Sequence, residues 1–297
     1  MSGESRAGGI TAVSRQAPPR PALPPNAELA RRLSDSPLLV ALDIDGTLAP
    51  IASRPEGAAV PEETRRVLER LMRLPAVHLA FVTGRAAHDG RRIVNVAGGW
   101  TIGNHGMELI DPNGALRVDR SVESFAQTIT EAAERLVTPI GSIPGVLIEN
   151  KKWTLSIHVR LAARADVPTV ERALTDLAKE LDLRIVRGKE IYELRPPVGI
   201  HKGTALLELA TALGVRDSSG ALAGSLIYAG DDRTDEDAFR AVRSLSGGAP
   251  PVTVHVGSTE PAKAPATDAE FIVGDPAAMG ELLGWLASIR ASHERRA

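Results

Sequence analysis

The 297-residue sequence contains no cysteine. This absence excludes thiolate catalysis, zinc–thiolate sites and disulfide bonds, and it fits a reducing, cytoplasmic compartment. The sequence also has no apolar run near the roughly 20 residues that a membrane-spanning helix requires. Its formal net charge is only −2, so nothing in the composition favours nucleic acid or another polyanion as a partner. We therefore expect a cytoplasmic protein that binds neither membranes nor nucleic acid.

The N-terminal segment, residues 1–36, lacks the apolar core of a secretory signal and is rich in proline, alanine and arginine. We expect this segment to form a flexible extension, with ordered structure beginning only near Asn26, where AELARRL can form a short helix. The whole sequence is 43% hydrophobic, which is enough for one large domain or two modest ones.

From residue 38 onward, segments typical of strands alternate with segments typical of helices. LLVALDI (38–44) and VHLAFVTG (77–84) are continuous apolar runs, as expected for parallel strands that are buried on both faces. PEETRRVLERLMRL (61–74) and HKGTALLELATALG (201–214) have helical patterns, and Gly214 ends the second helix. This alternation predicts an α/β fold with a doubly wound parallel sheet.

The middle of the chain, residues 116–196, follows a different order of strand, helix, hairpin, helix and hairpin. In WTLSIHVR (153–160), apolar and polar residues alternate strictly. Such alternation is typical of an antiparallel sheet with helices on one face. We expect residues 116–196 to form an α+β cap domain, inserted into a core made of residues 37–115 and 197–297.

Two carboxylates end the first apolar strand in the stretch VALDIDGTLAP. Side chains two residues apart in a strand point the same way, so Asp43 and Asp45 can converge. Ligands of parallel α/β sheets bind outside the carboxyl ends of the strands, where both residues are expected. Gly46 would then let the backbone turn sharply and bring its N–H groups close to an anion. The alternative is an Asp-Gly hairpin turn, but the following TLAPIASRPEG has two prolines and no alternation.

A second acidic cluster, GDDRTDED (230–237), again follows an apolar strand. Thr234 and Asp237 can cap the helix that begins there. Asp231 and Asp232 precede that cap, and buried carboxylates facing one another would repel unless a cation joined them. A set of hard oxygen ligands without histidine or cysteine suits Mg²⁺. Together the two clusters predict a magnesium site.

Two weaker signals complete the expected site. In VTGR, Thr83 ends the second strand, where its hydroxyl and nearby N–H groups can hold a phosphate oxygen, although Thr-Gly alone more often just ends a strand. In GIHKGTAL, Lys202 stands at a helix start, where a cation is unfavourable unless an anion binds beside it.

The four segments DIDGTL, VTGR, HKG and GDDRTDED, in this order and with an insert between the second and third, resemble the haloacid-dehalogenase-like phosphatase superfamily. The resemblance covers residues 37 to 290. It implies a Rossmann-like core with an α/β cap of the C2 type, bound Mg²⁺ and an aspartyl-phosphate intermediate. It implies that Asp43 is the nucleophile and that Asp45 is the general acid and then the general base.

The same resemblance assigns ligand sets. The phosphate would be held by Asp43, Asp45, Gly46, Thr83, Gly84, Arg85 and Lys202. Magnesium would be held by Asp43, the main-chain carbonyl of Asp45 and Asp231, with Asp232 supporting them. The general-acid role requires surroundings that keep a proton on Asp45 near neutral pH, above the usual aspartate pKa of about 3.9.

Three segments of the insert and its approach resemble trehalose-6-phosphate phosphatases: GNHG (103–106), ENKKWTLSIHVR (149–160) and GKEIYELRPP (188–197). The resemblance implies hydrolysis of trehalose 6-phosphate to trehalose and phosphate, the last step of trehalose biosynthesis. The implied sugar ligands are Asn104, His105, Gly106, Glu149, Lys151, His158, Arg160, Lys189, Glu193 and Arg195. Val159 departs from the family pattern, which often has an aromatic residue there. By alternation we expect Val159 to face the cap helices.

Other interpretations stay open at this point. His158 and Arg160 can be solvent-facing residues of an amphipathic strand, and the charges near Glu193 can form a cross-strand ion-pair ladder. The protein can instead be a phosphatase for sucrose phosphate or mannosyl-phosphoglycerate, or a non-catalytic sugar-phosphate-binding domain. We expect a monomer whose partner is a small sugar phosphate, and whose cap moves about crossings near 112–118 and 196–200.

Overall fold

The computed structural model describes residues 18–52, 55–188, 190–258 and 266–294. These residues form one nine-stranded sheet, one four-stranded sheet and helices on their faces. The two sheets confirm the predicted fold class, an α/β core with an inserted α+β cap. Among the described residues, no helix is both long and apolar enough to cross a membrane.

The described residues contain thirteen strands, β1 to β13 in chain order. The strands of the large sheet are β1 (Arg20–Pro21), β2 (Leu38–Asp43), β3 (Val77–Val82), β4 (Trp100–Gly103), β5 (Glu108–Ile110), β6 (Leu116–Val118), β11 (Ser225–Gly230), β12 (Val252–Val256) and β13 (Phe271–Val273). The strands of the small sheet are β7 (Leu147–Asn150), β8 (Leu155–His158), β9 (Arg184–Gly188) and β10 (Ile191–Arg195).

The α-helices are α1 (Ala27–Arg32), α2 (Glu62–Met72), α3 (Ala87–Val94), α4 (Arg120–Glu123), α5 (Ala126–Ile140), α6 (Val167–Glu180), α7 (Lys202–Ala212), α8 (Asp235–Arg243) and α9 (Pro276–Glu294). Two 3₁₀ turns cover Pro55–Gly57 and Asn104–Gly106.

Strand β2 lies in the middle of the large sheet, whose order is β1-β13-β12-β11-β2-β3-β4-β5-β6. The strands from β1 to β4 in this order run parallel, and β5 and β6 are antiparallel. Leu38, Val40 and Leu42 pack into a cluster with α2 and α9, whereas Leu39 and Ala41 pack into a cluster with α7 and α8. The strand is apolar throughout because both faces are covered. Its polar residues therefore occur only where it ends.

The cap is built on the small sheet, whose order is β7-β8-β10-β9 and whose pairs are all antiparallel. Leu155, Ile157 and Leu194 pack against α5 and α6 in one apolar cluster. Val159 belongs to this cluster and is buried, so the expectation that it faces the cap helices is confirmed. The alternating polar side chains of β8 and β10 are therefore left on the opposite face of the sheet.

The structure corrects two predicted boundaries. Strand β6, which we assigned to the insert that starts at residue 116, pairs with β5 in the large sheet. Residues 18–36 are not a flexible extension, because β1 pairs with β13, and Ala22, Leu29 and Leu33 are buried in the core. The short helix expected after Asn26 is α1, and the Asn26 side chain caps it by accepting the Leu29 N–H. Residues 1–17 lie outside the described part of the chain.

Candidate active site

The carboxyl ends of β2, β3 and β11 meet at one edge of the large sheet, opposite the polar face of the cap. A cavity of about 220 Å³ lies between them. It brings together most residues that the sequence predicted: Asp43, Asp45, Thr83, Gly84, Arg85, His105, Glu149, Lys151, His158, Glu193, Arg195, Lys202, Asp231 and Asp232. Core and cap residues line the same cavity, although Asp43 and Glu149, for example, lie more than a hundred residues apart along the chain.

Lys202 is the buried cation of the site. It is the first residue of α7 and only 3% exposed, and its Nζ donates to Asp43 Oδ1 at 2.7 Å and to Asp235 Oδ1 at 2.8 Å. Burial alone would lower its pKa, but Asp235 and Asp43 outweigh burial, so the pKa of Lys202 is raised well above the usual value. The ammonium group therefore stays charged beside the proposed nucleophile.

Three carboxyl groups cluster around this lysine. One oxygen each from Asp43, Asp231 and Asp235 lie within 4.8 Å of one another. Burial raises the pKa of Asp43 well above its usual value. Burial, then Asp235 and Asp232, raise the pKa of Asp231 to about 8. One lysine does not balance three carboxylates, and an all-oxygen ligand set suits a hard divalent cation, so these residues fit Mg²⁺.

Asp232 lines the cavity beside the acidic cluster rather than within it, and its predicted supporting role at the metal stays a prediction. Asp232 Oδ1 accepts the N–H and the hydroxyl of Thr234, both at 2.7 Å, and its carboxyl group is not in the described acidic cluster. Asp235 instead accepts the N–H groups of Asp231 and Asp232 and the buried hydroxyl of Tyr228. The sequence predicts Thr234 and Asp237 as the helix cap and gives no separate signal for Asp235, which is the first residue of α8.

Gly46 shapes the turn after β2, but its N–H does not face the cavity. It donates to the Ala49 carbonyl at 2.8 Å, which corrects its predicted role as a phosphate ligand. Its backbone has φ +86°, and a Cβ there would lie 2.0 Å from Asp231 Oδ2. Glycine is therefore needed so that Asp231 can approach β2.

Asp45 is held by Arg85. The guanidinium Nε donates to Asp45 Oδ2 and Nη2 donates to Oδ1, both at 2.7 Å. The hydroxyl of Thr83 accepts the Arg85 N–H at 3.1 Å, which fixes the loop after β3. Arg85 lines the cavity as predicted, but in this structure it contacts the second aspartate, and a phosphate would compete for the same bidentate donors.

The turn at residues 104–106 supports this loop from behind. The Asn104 N–H donates to the Arg85 carbonyl at 2.6 Å, and the His105 N–H donates to the Thr83 carbonyl at 3.1 Å. Asn104 and His105 both have positive φ, 45° and 56°, and a Cβ at Gly84 would lie 2.4 Å from the His105 ring. Burial lowers the pKa of His105 to about 4, so the ring is neutral at physiological pH.

Glu193 joins several polar residues of the cap to the core. Its Oε2 lies 3.0 Å from His105 Nε2 and accepts Arg195 Nε at 2.5 Å, and its Oε1 lies 3.4 Å from Lys151 Nζ. Burial would raise its pKa, but these cations and the His105 hydrogen bond hold the pKa of Glu193 well below the usual range. Lys151 Nζ also donates to the Gly84 carbonyl at 3.2 Å, and this contact connects the cap to the core.

The remaining predicted sugar ligands lie in different places. His158 Nε2 lies 2.9 Å from Glu149 Oε2 beside the cavity. Arg160 instead lines an adjoining outer cavity of about 710 Å³, and it contacts Glu190 and the Ala52 carbonyl. Asn104 and Gly106 lie behind the cavity wall, where the Asn104 amide donates to the Lys151 carbonyl at 3.3 Å. Lys189 lies outside the described residues.

Comparison with known proteins shows the family of the chain. A sequence model described as "Trehalose-phosphatase" matches residues 41–271. The chain belongs to the trehalose-phosphatase family. Family membership confirms the resemblance of the core and cap motifs. Whether each predicted ligand binds phosphate, metal or sugar stays a prediction.

Individual relatives of this trehalose-phosphatase family member span different shares of it. A trehalose-phosphate phosphatase of Mycobacterium avium is 38% identical over 69% of this chain and 51% of its own length. A probable trehalose-phosphate phosphatase of Arabidopsis thaliana is 31% identical over 86% of this chain and 69% of its own length. The chain thus spans about half to two thirds of these curated relatives, and only 16% of an uncharacterized glycosyl hydrolase of Mycobacterium tuberculosis.

Solved structures agree on the fold. A trehalose-6-phosphate phosphatase related protein has a TM-score of 0.71 at 26% identity, over 86% of this chain and 99% of that protein. The C-terminal domain of a Candida albicans trehalose-6-phosphate phosphatase has a TM-score of 0.72 at 23% identity, over 92% of this chain and 99% of that domain.

Proposed function

We propose that this chain hydrolyses trehalose 6-phosphate to trehalose and phosphate. The observation that carries the proposal is the shared cavity of about 220 Å³, in which Asp43, Lys202 and Asp231 face polar side chains of the cap. Phosphoryl transfer depends mainly on positioning and charge neutralisation, and the core side of the cavity supplies both. The family match supports the choice of sugar phosphate.

The chemical steps follow from the places of the two aspartates. An Asp43 carboxylate oxygen attacks phosphorus, the bond between phosphorus and the sugar oxygen breaks, and Asp45 donates its proton to that oxygen. Water then attacks the phosphorus of the aspartyl phosphate, Asp45 takes the proton from water, and phosphate leaves Asp43. Lys202, 2.7 Å from Asp43 Oδ1, offsets the negative charge at the nucleophile in both steps.

A divalent cation fits the acidic cluster of Asp43, Asp231 and Asp235. When bound, Mg²⁺ would supply positive charge that screens the carboxylate from the anionic substrate. Asp235 Oδ2 accepts the backbone N–H groups of Asp231 and Asp232, at 3.0 and 3.1 Å. These hydrogen bonds hold the main chain in place and so keep the Asp231 carboxyl beside Asp43.

Arg85 controls when Asp45 is available. In the structure both carboxylate oxygens of Asp45 accept hydrogen bonds from the guanidinium. An arriving phosphate dianion offers the same bidentate geometry with more charge, so Arg85 turns to the phosphate and frees Asp45 for the sugar oxygen.

The cap residues supply sugar recognition. Glu149, His158, Lys151 and Glu193 line the cavity opposite the nucleophile and offer charged donors and acceptors for sugar hydroxyls. Binding energy from these contacts orients the phosphate for in-line attack.

A substrate panel tests the proposal. The purified chain with Mg²⁺ should release phosphate from trehalose 6-phosphate far faster than from glucose 6-phosphate or sucrose 6-phosphate. Equal rates on the three sugars would refute the specificity, and no release from any of them would refute the phosphatase activity. The Asp43→Asn variant is the blank, because it keeps the size of the side chain and removes the nucleophile.

A further inference from the structure

Glu108 is a buried carboxyl group that the reaction itself does not use. It belongs to β5 and is 6% exposed. Its Oε1 accepts the indole N–H of Trp153 at 2.8 Å, and its Oε2 accepts the backbone N–H of Ala87 at 2.7 Å. A buried carboxylate is costly unless donors satisfy it, so both contacts fix its orientation. One rigid group therefore connects two distant segments.

The first of these segments is the start of α3. Ala87 is its first residue, and Ala86 at the N-cap provides no side-chain hydrogen bond. Glu108 thus caps α3 from a neighbouring strand, where the helix dipole favours a negative group. The helix follows directly on Thr83, Gly84 and Arg85, so the position of its first turn sets the position of that loop.

The second segment is the cap hairpin between β7 and β8. The Trp153 ring is 4% exposed and packs with Met107, Val122 and Ile200, which flank the two chain crossings between core and cap. Residues on both sides of Trp153 in the chain reach the site. Lys151 contacts the Gly84 carbonyl, and Thr154 contacts Glu193. The hydrogen bond from the indole N–H to Glu108 therefore depends on the position of the cap relative to the core.

We propose that Glu108 is a positioning residue that couples the seating of the cap to the geometry of the loop Thr83–Arg85. The two hydrogen bonds share one carboxyl group, so a shift of Trp153 rotates the group and disturbs the Ala87 contact. The loop then holds Thr83 and Arg85 in place only when the cap is seated. Only the kinetic test of this coupling rests on the proposed function; the hydrogen-exchange test does not.

Hydrogen exchange tests the coupling without any substrate. The Trp153→Phe variant keeps an aromatic ring but removes the N–H donor together with part of the ring volume, so a control with the same loss of volume is needed. Exchange in the segment 83–90 of this variant should be about tenfold faster than in the unchanged protein, because opening of the Ala87 contact becomes easier. The Trp285→Phe variant in α9 is the matched control, because Trp285 packs against the core cluster and is not part of the cap clusters, and it should leave this segment unchanged. Unchanged exchange in Trp153→Phe would overturn the proposal.

Kinetics provide the second arm. In the Glu108→Gln variant, the side chain has one carbonyl oxygen and one NH₂ group. Either the Trp153 indole N–H or the Ala87 N–H must then face the NH₂ group, which is itself a donor. Glu108→Gln should lower kcat for trehalose 6-phosphate about tenfold or more, since hydrogen bonds to charged groups are among the stronger ones. Trp153→Phe should lower kcat as well, and the double variant should fall no further than Glu108→Gln alone. Additive losses would show two independent structural roles and overturn the coupling.

The two arms separate this inference from the proposed function. If the unchanged protein hydrolyses no trehalose 6-phosphate while Trp153→Phe speeds exchange at residues 83–90, the function is wrong and the coupling stands. If the unchanged protein hydrolyses trehalose 6-phosphate but Trp153→Phe does not speed hydrogen exchange at residues 83–90, the coupling is wrong and the function stands. Should Glu108→Gln fail to fold, the exchange comparison still decides, because it uses only the tryptophan variants.

Discussion

Raising the pH should destabilise the metal-free protein, and Mg²⁺ should reverse the effect. The folded chain raises the pKa of Asp231 from 3.8 to about 8, through burial and then the charges of Asp235 and Asp232. The unfolded chain loses this proton near pH 4, whereas the folded chain keeps it until about pH 8. The folded state therefore binds more protons between these values, and stability is lost as the pH rises through about 8.

The size of the effect follows from the same shift. For a folded-state pKa of about 8, the linkage relation gives a loss of about 2 kcal/mol between about pH 6.5 and pH 8.5 from Asp231 alone. Asp43 and Asp235, whose pKa values are also raised, act in the same direction. Such a loss is a sizeable part of the free energy of unfolding of a folded domain, which is roughly 5–15 kcal/mol. Mg²⁺ binds the deprotonated carboxylates, so its stabilisation should increase over the same interval.

Urea denaturation at about pH 6.5, 7.5 and 8.5 measures the free energy of unfolding. Runs with a chelator give the loss with pH, and runs with Mg²⁺ give the stabilisation by the metal. Three histidines oppose this loss, because the pKa values of His105, His78 and His255 are lowered from 6.5 in the folded chain and each adds stability as the pH rises through that value. Their contribution is largely complete by about pH 7.5, so the step from about pH 7.5 to 8.5 reports the carboxyl groups most directly. The Asp231→Asn variant is the control, because it removes one titrating charge at constant size. A chelated protein whose unfolding free energy stays level or rises from about pH 7.5 to 8.5 would refute the reasoning, as would a variant that keeps the full slope.

Three further changes test single features of the site. Asp43→Asn should reduce phosphate release below detection while cooperative unfolding persists. Gly46→Ala should weaken Mg²⁺ binding at least about tenfold by calorimetry, because the added Cβ would lie 2.0 Å from Asp231 Oδ2 at φ +86°. Lys151→Ala should raise the KM for trehalose 6-phosphate about tenfold, whereas Arg160→Ala, in the outer cavity, should change it less than about threefold in the same assay. Equal KM effects of the last two would contradict the assignment of the cavities.

The sequence was sufficient where the signal is local. The period of a strand places Asp43 and Asp45 at one edge, and the apolar runs of β2 and β3 predict burial on both faces. The alternation in β8 correctly sends Val159 toward the cap helices. In each case the decisive information lies within a few residues of the feature.

Features that depend on distant partners could not be predicted in the same way. Strand β6 is only three residues long, and its pairing with β5 rather than with the cap is decided by register in three dimensions. The N–H of Gly46 has a partner within its own turn, which a glycine in the sequence does not reveal. Asp235 has no role in the sequence analysis, because its contact with Lys202 depends on how α7 and α8 pack. Residue types therefore predicted the members of the site better than their contacts.

This difference bears on how the cavity can select a sugar. His105, Lys151 and Arg195 were predicted as sugar ligands, yet in the structure all three contact Glu193. A sugar hydroxyl that enters must exchange one hydrogen bond for another, so each contact adds a net binding free energy of only about 1 kcal/mol. A sugar that displaces such a contact without replacing it leaves a buried polar group unpaired, and that penalty is large. Discrimination among sugar phosphates should therefore arise mainly from the rejection of poorly matched substrates, and removing Glu193 should relax specificity more than it lowers the rate on the preferred sugar.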